Sequence, residues 1–139
     1  MKQKKINQIE PLISKNDLNA INKYLNKNNW ITENKYTQHF EKRFSEVVGS
    51  KFAVAFPNGT LTLLGILKAL NLKKNSYVLV PNITMVATAT AVSLAGLSPI
   101  FVDVEKENLC MCPKDLKKKI NKNVSAIIYV TLNGRSGSI

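Results

Sequence analysis

The tripeptide Asn58-Gly59-Thr60 stands between an apolar run at residues 52–56 and a leucine-rich stretch. The run predicts a short buried strand, the residues from Pro57 predict a tight turn, and the leucines recur at helical spacing. A turn that leads into a helix leaves the first backbone N–H groups unpaired, and the helix dipole adds positive charge there. Because such places bind phosphate, the sequence predicts a phosphate site at this turn.

The turn matches neither of the two common phosphate-binding fingerprints. It lacks the Gly-Lys-Ser/Thr ending of a Walker loop and the Gly-x-Gly-x-x-Gly of a dinucleotide site. By itself it is also compatible with a plain turn followed by a threonine helix cap. Its position favours a ligand, because ligands of parallel sheets bind where strands lead into helices. A phosphate monoester suits a single helix N-terminus better than a triphosphate does.

The elements that position this turn alternate between strands and helices. After the turn, strands are predicted at residues 77–80, 99–104 and 124–130, with helices between them. Before it, helices are predicted at residues 16–28 and 35–48, the first with a capping box of Ser14 and Asp17. This order indicates an α/β fold with a mostly parallel sheet and helices on both faces. It also predicts an N-terminal helical segment, residues 1–50, and an α/β domain, residues 51–139.

The carboxyl ends of the predicted strands carry most of the other polar candidates. Ligands of parallel sheets bind at that edge. We therefore expect the turn at residues 58–60 to meet the segment Asn82–Met85, Asp103 and the turn at Asn133-Gly134.

The amino-acid composition makes a nucleic-acid site, a metal site and a membrane span less favoured. The net charge is +11, which favours a nucleic-acid partner in principle. The basic residues are mostly lysines scattered along the chain without interleaved aromatics, so solvated lysine faces are favoured over a nucleic-acid site. Cys110 and Cys112 lack a second pair, and His39 is the only histidine, so no metal site is expected. Without an apolar run of membrane-spanning length or a signal-peptide core, a cytoplasmic location without membrane contact is expected.

Six segments, in unbroken order over nearly the whole chain, carry a family resemblance. They are Trp30-Ile31-Thr32 with Lys35-Tyr36, Val47–Val54, Asn58-Gly59-Thr60, Val78–Thr88, Gly96–Val104 and Val130–Arg135. The chain resembles the N-terminal part of the pyridoxal-phosphate-dependent nucleotide-sugar aminotransferases of the DegT/DnrJ/StrS type. The resemblance implies the large domain of the aspartate-aminotransferase (type I) fold, and it is nearest to perosamine-synthase-like members.

The resemblance implies the cofactor pyridoxal 5'-phosphate and four residues that hold it. Gly59 and Thr60 would bind the phosphate through backbone N–H groups and the threonine hydroxyl, and Asn58 would shape the turn. Met85 stands where the family usually places an aromatic ring over the cofactor pyridine, which is a departure from the pattern. A thioether can cover a ring face, although it is a softer clamp.

The resemblance also implies the substrates. Trp30 and Thr32 would lie near the nucleotide-sugar entrance, the amino donor would be glutamate, and the full-length form would be a homodimer. The reaction would aminate a nucleotide-linked keto-sugar for cell-surface polysaccharide or deoxyaminosugar biosynthesis.

The family's cofactor-binding lysine has no counterpart among the lysines of this sequence. In the family that lysine, and the aspartate that pairs with the pyridine nitrogen, come later in the chain. We therefore expect no catalytic residue in residues 1–139, a truncated large domain and no transamination by this chain alone. The alternatives are a sugar dehydratase of the same family, a non-catalytic fragment that binds phosphate or a partner, and, less favoured, a nucleic-acid binder.

Overall fold

The computed structural model describes residues 7, 10–27 and 35–137, and it shows an α/β protein. The helices are α1 (Lys15–Leu25), α2 (Lys35–Val48), α3 (Gly59–Ala69), α4 (Ala87–Leu94) and α5 (Pro113–Lys119). The strands are β1 (Tyr77–Pro81), β2 (Ser98–Val102) and β3 (Val124–Ile127), followed by a 3-10 turn at Leu132–Gly134. The predicted fold class, with a parallel sheet between helices, is therefore confirmed.

The chain divides into two compact units, Met1–Val54 and Ala55–Ile139. That the segments 1–50 and 51–139 are separate domains stays a prediction. In the part of the chain that the structure describes, no helix is both long enough and apolar enough to span a membrane.

The first unit contains α1 and α2, which begin and end close to the predicted positions. The backbone N–H of Asp17 donates to Ser14 Oγ at 3.2 Å, and the backbone N–H of Ser14 donates to the Asp17 carboxylate at 2.7 Å. This is the predicted capping box, which satisfies two backbone donors at the start of α1. The Ser14 hydroxyl, which also donates to this carboxylate, and the Ser14 amide lower the pKa of Asp17.

The second unit is built on a three-stranded parallel sheet in the order β2-β1-β3. Side chains alternate across its central strand. Val78 and Val80 face one core with the α3 and α4 residues Leu67, Ala91 and Val92. Leu79 faces the other core with Val102, Met111 and Leu116, the last of which lies on α5. Helices therefore cover both faces, as the alternating pattern predicts.

The predicted buried strand at residues 52–56 is wrong. This segment pairs with no strand among the described residues, and Phe52 and Val54 are 75% and 71% exposed. An apolar run becomes a strand only where a neighbouring strand accepts and donates its backbone hydrogen bonds. One member of the run does pack, because the Phe56 ring lies over Gly65 of α3, where an added Cβ would meet it at 2.6 Å.

The third and fourth predicted strands, at residues 99–104 and 124–130, are shorter than expected at their carboxyl ends. β2 ends at Val102 because the backbone N–H of Asp103 donates to the Asp115 carboxylate at 2.8 Å. Lys119 forms an ion pair with the same carboxylate at 2.7 Å. The Lys119 ammonium and the Asp103 amide together hold the pKa of Asp115 below its ordinary value.

Candidate cofactor site

The turn before α3 offers unpaired backbone donors. Asn58 is the N-cap, and its side-chain oxygen accepts a hydrogen bond from the Leu61 backbone N–H at 3.0 Å. Its backbone oxygen accepts from the N–H and from the hydroxyl of Thr62, both at 3.0 Å. The N–H groups of Gly59 and Thr60 find no acceptor in the described part of the chain. Two of the four orphan donors of the helix therefore stay available to an anion.

These donors open onto a cleft of about 630 Å³, a volume within the usual range of small-molecule sites. It is lined by Gly59, Thr60, Thr62, Leu63, Thr84, Met85, Ala87, Thr88, Ile128, Tyr129, Val130 and Thr131. The cleft lies at the carboxyl ends of β1 and β3. β2 pairs with one edge of β1, and β3 pairs with the other edge. The connections from β1 to β2 and from β2 to β3 therefore run in opposite directions across the sheet, and open α/β sheets bind ligands at such a switch point.

The floor and the rim of the cleft differ in chemistry. Thr84 and Thr88 share a hydroxyl–hydroxyl hydrogen bond of 2.9 Å, and Thr88 is buried. Met85 is 71% exposed on the rim. The Thr60 hydroxyl forms no hydrogen bond with any part of the chain described. The site thus combines a polar end at the start of α3 with a thioether that can cover a flat ring.

Tyr129 lines the far side of the cleft, and its hydroxyl is already engaged. The hydroxyl oxygen accepts a hydrogen bond from the Gly137 backbone N–H at 3.0 Å. The Cys110 thiol beside it raises the pKa of the Tyr129 phenol, and desolvation adds to the rise. The Tyr129 hydroxyl therefore holds residue 137 in place at the wall of the cleft.

The structure brings together three of the four predicted cofactor residues. Gly59, Thr60 and Met85 line the cleft, whereas Asn58 points its side-chain oxygen at the Leu61 amide and acts as a cap. The predicted substrate residues Trp30 and Thr32 lie outside the described residues.

Other predicted members of the sheet edge do not line this cleft. Asn82, Asp103 and the turn at Asn133-Gly134 are not among its lining residues, although all of them follow a strand or its extension. The backbone of Asp103 is engaged with α5, so this residue acts in the structure of the sheet edge. Nor do the described residues bring together three or more His, Cys, Asp or Glu side chains that could hold a metal ion.

Sequence reasoning missed Thr88, Tyr129 and Thr131 as lining residues. Thr88 lies four positions after Thr84, so helical spacing could have paired the two hydroxyls. Tyr129 and Thr131 alternate near the end of the predicted fourth strand, so the same carboxyl-edge argument applies to them.

The residues present fit pyridoxal phosphate. A phosphate monoester needs donors in one place, and the free amides of Gly59 and Thr60 supply them together with a free hydroxyl. An added Cβ at Gly59 would meet no atom within 4 Å, so the approach to this amide is open. The apolar wall and Met85 suit a planar aromatic ring.

Comparison with known proteins also points to a protein that binds pyridoxal phosphate. The model of the DegT/DnrJ/EryC1/StrS aminotransferase family matches residues 11–139. A GDP-perosamine synthase from Vibrio cholerae is 31% identical over 131 residues, which are 94% of this chain and 35% of that protein. The chain thus spans about a third of the length of this curated relative.

Solved structures share the fold. The aminotransferase from Psychrobacter cryohalolentis is 30% identical, with a TM-score of 0.79 over 88% of this chain and 31% of that one. A GDP-4-keto-6-deoxymannose-3-dehydratase with a trapped PLP-glutamate geminal diamine is 26% identical, with a TM-score of 0.74 over 81% and 30% of the two chains.

The predicted cofactor, pyridoxal 5'-phosphate, is confirmed at the level of the family, since solved relatives hold it. The predicted resemblance and the type I fold are confirmed by the same findings. The chain belongs to the DegT/DnrJ/EryC1/StrS aminotransferase family.

Proposed function

We propose that these residues form the phosphate-binding and ring-covering part of a pyridoxal-phosphate-dependent sugar aminotransferase. The observation that carries the proposal is the pair of free amides at Gly59 and Thr60, which open onto a cleft at the switch point of the sheet. Family membership supplies the class of reaction.

The roles of the residues follow from their chemistry. The start of α3 and the Thr60 hydroxyl bind the phosphate, and the Asn58 cap holds the first turn of α3 in place. Met85 covers one face of the pyridine ring, while Thr84 and Thr88 form a hydrogen-bonded floor. Bound pyridoxal phosphate supplies the amino-group carrier and the electron sink. The lysine that binds the cofactor covalently is proposed to come from outside residues 1–139, which alone would be inactive.

The proposed substrates are a nucleotide-linked keto-sugar and glutamate, in the synthesis of cell-surface polysaccharide or deoxyaminosugars, and the proposed assembly is a homodimer. Similarity to a GDP-perosamine synthase supports the sugar nucleotide, and the glutamate adduct in a solved relative supports the donor. Trp30 and Thr32 stay proposed contacts of the nucleotide-sugar.

A sugar dehydratase is the second candidate, because one of the solved structures that share this fold is a sugar 3-dehydratase. Such an enzyme replaces a hydroxyl group of the sugar by hydrogen, releases the nitrogen of the donor as ammonia and leaves no nitrogen on the sugar. The two reactions therefore differ in whether the sugar carries the nitrogen of the donor at the end of the reaction.

Isotope labelling of the complete gene product separates these candidates. The protein is incubated with pyridoxal phosphate, [15N]glutamate and a GDP-linked 4-keto-6-deoxyhexose, and the sugar is analysed by mass spectrometry. An aminotransferase places 15N on the sugar, whereas a dehydratase releases the nitrogen as ammonia and yields a keto-sugar that has lost one oxygen atom and carries no 15N. An unchanged sugar contradicts both catalytic proposals and favours a fragment that only binds phosphate or a partner.

A further inference from the structure

A second cavity lies at the opposite end of the sheet, where β1 and β3 begin. It has a volume of about 310 Å³. It is lined by Lys73, Lys74, Asn75, Ser76, Tyr77, Lys122, Asn123 and Ser125. The five residues of β1 separate this cavity from the cofactor cleft, and at about 3.3 Å per residue the two sites are roughly 16 Å apart.

The lining of this basic cavity is positive and uncompensated. Three of its residues are lysines and none is acidic. The one ion pair in the described part of the second unit joins Lys119 to Asp115, so Lys73, Lys74 and Lys122 have no carboxylate partner there. Three like charges around one small volume repel each other, and an anion between them would relieve that repulsion.

One hydroxyl in the lining has no partner. Ser76 is only 7% exposed, and its Oγ is the one buried side-chain oxygen or nitrogen that lacks a hydrogen bond among the described residues. Its backbone is satisfied, because its N–H donates to the Lys73 oxygen at 3.1 Å and its C=O accepts from the Ser98 N–H at 3.0 Å. A buried polar group without a partner costs about 1–3 kcal/mol, so an external acceptor would stabilise this residue.

We propose that the basic cavity is an anion site, separate from the cofactor cleft, that takes a small phosphate-bearing molecule. Because Ser76 Oγ has almost no exposed surface, the hydroxyl turns about the Cα–Cβ bond to donate to a phosphate oxygen, while the ammonium groups of Lys73, Lys74 and Lys122 balance the charge. Backbone geometry supports the site, since the Tyr77 N–H donates to the Asn123 oxygen at 2.8 Å and holds the two strand starts together. The proposal does not depend on the cofactor cleft.

The test titrates the 139-residue chain with inorganic phosphate and with pyrophosphate at constant ionic strength, and follows backbone amide signals by NMR. Both probes should shift the signals of residues 75–77 and 122–123 saturably. In Ser76→Ala the affinity should fall about tenfold, as expected for the loss of one hydrogen bond to a charged group. Ser93→Ala, at an exposed position on α4, is the matched control and should bind as the parent chain does.

The stability of the free chain gives a second readout. Because the Ser76 hydroxyl is unpaired, Ser76→Ala should leave the phosphate-free chain as stable as before or more stable. Lys122→Gln should also weaken binding, whereas Lys106→Gln, outside the cavity, should not.

Three results would overturn the proposal. They are unchanged phosphate affinity in Ser76→Ala, an equal loss in Lys106→Gln and Lys122→Gln, and no saturable shift at residues 75–77. If Ser76→Ala does not fold, the two lysine variants decide the question. Shifts confined to Gly59 and Thr60 would place phosphate in the cofactor cleft alone, and this result also contradicts the second site.

Discussion

Replacement of Thr60 by valine should separate phosphate binding from ring binding in the cofactor cleft. The substitution keeps the shape and the backbone N–H of the residue and removes only the hydroxyl, which has no partner in the described structure. A hydrogen bond to a charged group contributes about 1.5–3 kcal/mol, so affinity for a phosphorylated ligand should fall about ten- to a hundredfold. Some affinity should remain, because the amides of Gly59 and Thr60 are unchanged.

The assay compares pyridoxamine 5'-phosphate with pyridoxamine. Neither compound carries an aldehyde, so neither can react with the many lysines of the chain. Binding is followed by NMR titration into the millimolar range. Thr60→Val should weaken only the phosphorylated compound, and Thr90→Val, on the exposed face of α4, should change neither.

Two results would refute this reasoning. One is an equal loss of affinity for both compounds, which would mean that the substitution distorts the cleft. The other is no loss at all, which would mean that the hydroxyl does not touch the phosphate.

Two further predictions concern stability. Leu79→Ala should lower the free energy of unfolding, measured by urea titration, by about 3 kcal/mol, because the Leu79 side chain is fully buried under α5. Leu94→Ala, at a 57% exposed site, should change it by less than about 0.5 kcal/mol. Equal effects of the two substitutions would contradict the described core. The pKa of Asp115 is lowered from 3.8 by Lys119, so its contribution is present above that pH and lost as pH falls through the folded-state pKa. Asp115→Asn should therefore show less loss of stability than the parent chain below about pH 4, and parallel pH profiles would count against this ion pair.

The helices could be predicted closely where local signals decide the outcome. α2 begins and ends at the predicted residues, because apolar side chains recur along it at a spacing of about four residues. Gly49 follows its last residue with a φ of +69°, a backbone conformation that ends helices. The capping box and the Asn58 cap also depend only on residues three positions apart.

The strands depended on partners that the sequence does not reveal. The composition of residues 52–56 predicts a strand, but a strand forms only beside another strand, and no strand among the described residues pairs with this segment. Likewise β2 ends where an α5 carboxylate takes the next backbone donor, a contact between residues 12 positions apart. Composition does not encode such long-range competition for hydrogen bonds.

The sequence predicted the position of the cofactor site better than it predicted all the residues and contacts that form it. Met85 follows β1, so it could be placed at the carboxyl edge of the sheet. The strand predicted before Thr60 is absent from the described residues, and Thr60 lines the cleft because it lies at the start of α3. The position of Tyr129 at this edge could also be predicted, whereas its hydrogen bond with Gly137 could not, because that contact depends on the packing of residue 137 against Cys110. The unpaired Ser76 hydroxyl was equally invisible, since only the packed structure shows which hydroxyls lack partners.

The most direct test of the proposed phosphate site is a backbone amide NMR map of the unmodified chain titrated with pyridoxamine 5'-phosphate. We expect large, saturable shifts at the amides of Gly59 and Thr60, and smaller shifts at Thr84 and Met85. Pyridoxamine should leave the first two amides unchanged. Equal shifts with both compounds, or shifts that avoid the start of α3, would contradict the claim that these residues bind the cofactor phosphate.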